Sequence, residues 1–105
     1  MAWLYLFSAG ILEIVWAFAM KQSDGFSRPV PAAITIVAMI ASFALLSLAM
    51  RSLPLGTAYT IWTGIGAVGA FLVGVTVLGE ALTPMRIAAA VLIVSGLVMM
   101  KLAAQ

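Results

Sequence analysis

The chain has 105 residues, of which 66% are hydrophobic and 8% charged, with a formal net charge of +2. An ordinary soluble domain is about a quarter charged, so this composition excludes one. The absence of cysteine and histidine excludes disulfides, Cys/His zinc sites, haem ligation by His, and Ser-His or Cys-His catalysis; a charge so small and scattered does not suit a nucleic-acid partner.

Four apolar stretches follow one another, each long enough to cross a bilayer as a helix. The first is Trp3–Met20, and it carries one charge, Glu13. It lacks a basic leading segment and is longer than the apolar part of a signal peptide, so a retained span is expected. A polar break, Lys21 to Arg28, is closed by Pro29 and Pro31. The second span is Val30–Met50, with Pro31 tolerated in its first turn. Arg51 to Gly56 makes the next turn, and the third span is Thr57–Leu78. Gly79 to Pro84 breaks it, and the fourth span is Met85–Leu102. Lipid permits only helices or a closed barrel, and continuous apolar runs without period-two alternation select helices. The fold class is therefore an all-α membrane protein, one domain over residues 1–105, with short connections that make neighbouring helices antiparallel.

Both termini then share one membrane face with Arg51 and Lys101, while Lys21, Arg28 and Arg86 lie on the other. Two against three gives no firm orientation by the positive-inside rule. Either so few charges are uninformative, or the chain inserts both ways round.

Glu13 lies ten residues into its helix, ~15 Å deep and near the middle of a hydrocarbon core ~30 Å thick. A charge there costs on the order of 2.5–3.5 kcal/mol on insertion scales, so it reads as functional. Ser42 comes to ~12 Å from the same face, and Trp62 to ~8–10 Å, with Tyr59 one turn shallower on the same helical face. Gly10 and Trp16 flank Glu13 by one turn each. Trp16 is too deep for an interfacial anchor, the usual place of a membrane Trp. Gly66, Ala70 and Gly74 form a line that admits a close helix neighbour, and Gly64, Gly66 and Gly69 make the third helix a candidate for bending. Ala89 and Gly96 in the fourth suit a helix–helix seam.

Desolvation favours the protonated form of a buried acid, whereas Tyr, Trp and Ser donors favour the ionised form. A group balanced between them can exchange a proton for a cation, and aromatic faces stabilise a cation once water is displaced. Two carboxylates from two copies would match a planar fork of N–H donors. Nothing in the chain supplies a nucleophile with a base, a metal cage or a phosphate loop, so neither an enzyme nor a cofactor or metal site is expected. Four helices do not easily enclose a two-sided pathway, whereas two copies in opposite orientations reproduce the inverted repeats of larger transporters.

Over essentially its whole length the sequence resembles the small multidrug resistance family. The resemblance rests on Gly10-x-x-Glu13-x-x-Trp16, the loop Ser23-Asp24-Gly25-Phe26-Ser27-Arg28, and Pro54-x-Gly56-x-Ala58-Tyr59-x-x-Trp62-x-Gly64-x-Gly66. Trp16, and Lys101 near the end of the fourth helix, make it most similar to the guanidinium-exporter branch. The resemblance implies an antiparallel, dual-topology homodimer in a bacterial inner membrane that exchanges guanidinium or substituted guanidinium for protons by alternating access. It further implies that Glu13 binds proton and cation in turn, with Trp16, Ser42, Tyr59 and Trp62 holding or orienting it, and Gly10 and Lys101 in support. A broad quaternary-ammonium exporter of the same fold is the first alternative. A non-transport membrane subunit is the second.

Overall fold

A computed structural model describes residues 1–103 and contains four helices: α1 (Ala2–Gln22), α2 (Pro29–Ala49), α3 (Leu55–Thr76) and α4 (Pro84–Ala103). All four are long and apolar enough to cross a membrane, with mean hydropathies of 1.6, 2.3, 1.6 and 1.9.

Local chemistry sets each boundary. After α1, Ser23 is fully buried and knots the chain: its hydroxyl donates to the Met20 carbonyl (2.6 Å) and accepts from the Phe26 N–H (3.0 Å). Asp24, Gly25 and Phe26 then take positive φ in succession, a run of left-handed residues no helix can continue through. Arg28 is extended, as a residue before proline must be, and α2 starts on Pro29. Pro54 likewise precedes α3 with an extended backbone. α3 starts two residues before the expected Thr57, because the turn after α2 is tight and Gly56 is taken into the helix. It also ends earlier than Leu78. The N–H groups of Val77 and Leu78 both turn back to the Val73 carbonyl, and Gly79 at φ +70° completes the exit. α4 is capped by Thr83, whose hydroxyl accepts the Arg86 N–H at 3.2 Å, and Pro84 stands at its first position. The glycines of α3 lie inside one uninterrupted α-helix.

α1 is the centre of the packing: it makes its largest contact with α2 and its next with α3. The buried core of Leu6, Ala9, Leu46, Ala49, Ala58, Ile61 and Trp62 draws α1, α2 and α3 together at the end of the bundle that holds the start of α1. Towards the other end α2 and α3 diverge. Ile14, Phe18 and Gln22 of α1 form the floor of a groove of about 640 Å³ there, with Pro31 and Ile34 on one wall and Val73 and Val77 on the other. α4 packs mainly on α3, through Leu97 seated on Gly64, and none of its residues is buried. The bundle is correspondingly thin, 42 × 34 × 16 Å. The Lys101 ammonium lies 4.4 Å from the centre of the Trp3 ring, so the end of α4 and the start of α1 share one end of the bundle.

Candidate functional site

Three small contacts bring α1 and α3 close and in parallel. A Cβ on Gly10 would come within 2.7 Å of the Ile65 side chain; one on Gly66 would strike the Glu13 carboxyl group, and one on Gly69 the end of Ile14. The numbers climb together along both helices, which fixes the parallel sense. Glu13 is thereby held half-buried against the bare backbone of α3. Its Oε1 is enclosed and has no hydrogen-bond partner among the described residues, and the same is true of the Trp16 indole nitrogen one turn away.

One turn nearer the start of α1, Ser42 joins three helices. It is fully buried; its hydroxyl donates to the Ala9 carbonyl of α1 (2.7 Å) and accepts the Trp62 indole N–H of α3 (3.0 Å). The family resemblance implies that Ser42 and Trp62 hold or orient the Glu13 carboxylate; in the structure they are tied to each other, and Ser42 to Ala9. A hydroxyl has one proton to donate, and here Ala9 receives it, so Ser42 has none for Glu13 in this conformation.

The aromatic residues form a continuous run. Trp16 meets Phe43 edge-on with ring centres 6.3 Å apart, Phe43 meets Trp62 at 5.7 Å, and Trp62 meets Tyr59 at 5.5 Å. Tyr59 joins the set through its ring and is half-exposed. Phe43, absent from the sequence reading, is the link between the two tryptophans. It follows Ser42 directly and therefore shares its depth, a signal masked by the ordinary place of Phe in a membrane helix, facing lipid. Gly10 forms the α1 side of the approach to α3. Lys101 rests on Trp3, ten residues of helix or ~15 Å along α1 from Glu13.

The arrangement is a single carboxyl group in the middle of an apolar helix, two buried polar atoms without partners among the described residues, and a wall of aromatic rings. A cation gains from both the charge and the ring faces in such surroundings. Nothing in it resembles a nucleophile with its base.

The family model for Small Multidrug Resistance protein matches residues 1–103. A protein of Escherichia coli strain K12 named guanidinium exporter is 56% identical over 102 residues, 97% of each chain. Proteins of the same name from Salmonella typhimurium strain LT2 and Citrobacter freundii are 55% and 54% identical, over 99% and 97% of each chain.

Proposed function

The chain belongs to the Small Multidrug Resistance family and is a multi-pass membrane protein, and from that premise we propose that it exports guanidinium, or a substituted guanidinium, in exchange for protons across a bacterial inner membrane. The observation that carries this reading is Glu13. It is the one ionisable side chain in the middle of any of the four spans, and among the described residues its Oε1 is enclosed without a partner beside an equally unpartnered Trp16 N–H. Proton and cation compete for one carboxyl group, so the site holds one or the other, which is the condition for exchange. The relatives named guanidinium exporters support the choice of substrate.

Two copies in opposite orientation make the working unit in this reading. α4 has no buried residue, and a Cβ added at Gly96 would meet nothing within 4 Å among the described residues, which leaves a face free for a second copy. The pairing would bring two Glu13 carboxylates to one chamber, able to accept the N–H fork of a guanidinium from two sides. Each protomer is closed at one end by the Ser42 node and splayed at the other, and a pair related by a two-fold axis in the membrane plane would place one closed and one splayed end at each face.

The aromatic run favours a second reading, a broad exporter of quaternary ammonium ions, which cannot donate N–H bonds and depend on ring faces. One experiment tests both: purified protein in liposomes, a proton gradient imposed, and uptake of guanidinium compared with that of a tetraalkylammonium. Gradient-driven movement of guanidinium in preference is expected. Preference for the tetraalkylammonium would select the second reading, and movement of neither would remove both.

A further inference from the structure

The Glu13 carboxyl group does not hang freely in the bundle. Its Cγ, Cδ and Oε1 all lie where a side chain at residue 66 would begin, so the carboxyl rests on the Cα of Gly66. The atoms in the way are the far end of a flexible side chain. An added methyl at 66 would therefore be met by rotation of the carboxyl, with the two helices staying in place. Gly69, three residues on in the same helix and facing the same neighbour, provides the contrast: its added methyl would meet Ile14, which is apolar. Both glycines serve the approach of α1 to α3, but only Gly66 touches the carboxyl.

We propose that Gly66 is a positioning residue for the reaction, the surface that fixes where the Glu13 carboxyl group sits relative to Trp16 and so how it meets a cation or a proton. This rests on the reading of Glu13 as the shared ligand. Sites of this kind need their groups held to within about 0.5 Å, and a displaced carboxyl loses both its enclosure and its aim.

The test is a double-substitution cycle in full-length protein. Gly66→Ala and Gly69→Ala are each made in the native background and in Glu13→Asp, whose shorter side chain retracts the carboxyl from residue 66. The readouts are guanidinium affinity, and the carboxyl stretching band in the infrared, assigned to residue 13 by its loss in Glu13→Gln. Gly66→Ala should shift the band and weaken binding by about tenfold in the native background but by less than about threefold in the Glu13→Asp background, a coupling within the range for residues in contact. Gly69→Ala should leave the band in place. If Gly66→Ala does not fold, recovery of folding in the Glu13→Asp background supports the contact, and failure in both overturns it. Equal loss in both backgrounds, or an equal band shift from Gly69→Ala, also overturns it. If the native protein does not bind guanidinium, the functional reading fails by itself, while the infrared band still decides the role of Gly66.

Discussion

At the scale of single residues, the charge at position 13 and the hydroxyl at position 42 do different work. Glu13→Gln keeps shape and packing but cannot exchange a proton, so it should fold and yet abolish proton-driven uptake. In the native protein, guanidinium binding should weaken as pH falls, because protons fill the same carboxyl; equilibrium binding across the acid-to-neutral range checks this, and a flat profile would remove Glu13 from the centre of the mechanism. Ser42 is bonded to Ala9 and Trp62. Ser42→Ala would leave the Trp62 N–H buried without an acceptor, which costs about 1–3 kcal/mol, and should lower thermal stability in detergent by that order before any effect on selectivity is seen. Trp16 has an unpartnered N–H and a ring against Phe43. Trp16→Gly should therefore reduce guanidinium uptake more than uptake of a bulky hydrophobic cation, measured in pairs at equal protein per liposome; equal loss would assign Trp16 to folding or coupling.

At the scale of helices, α1 is the shared partner and α4 the outlier. α1 is read from both sides, by Ser42 from α2 and by Gly66 and Gly69 from α3. α4 touches α3 through Leu97 on Gly64. A methyl on Gly64 would collide with that leucine, and overpacking of this kind costs about 1–3 kcal/mol. Gly64→Ala should lower the melting temperature, and Leu97→Ala in the same chain should restore part of it; no recovery would mean that Gly64 matters for another reason. The breaks between helices were plain in the amino-acid sequence, since Pro29, Pro54, Gly79 and Pro84 each end or begin an element by backbone geometry alone. The ends of α3 were less so. Apolar Leu55, Val77 and Leu78 read as span in either state, and a hydrogen-bond register decides which of them is helical.

At the scale of the whole molecule, one chain makes a slab only 16 Å thick, about one and a half helix diameters. Such a body cannot surround a pathway, and the proposed antiparallel pair supplies the missing wall. With Lys and Arg almost balanced between the two ends, both insertions should coexist. A Lys added to the Lys21–Arg28 loop should bias that loop to the cytoplasm. Activity should then fall, and return on co-expression with an oppositely biased copy. A terminal reporter that reads one side only in the native protein would contradict dual insertion.

The amino-acid sequence by itself determined the four spans, their short turns and the special position of Glu13, because hydropathy, proline and the cost of a charge in lipid are local quantities. It also brought Ser42, Trp62 and Tyr59 to similar levels of the bundle, where Ser42 bonds Trp62 and Trp62 meets Tyr59, since helical rise converts residue count into distance. Depth is only one coordinate. Which atoms meet at a given depth depends on how each helix is rotated about its own axis, and that is fixed by packing. Only the tertiary structure could therefore give the Ser42 proton to Ala9, turn the Trp62 N–H to Ser42, seat Phe43 between the tryptophans, and lay the Glu13 carboxyl against Gly66.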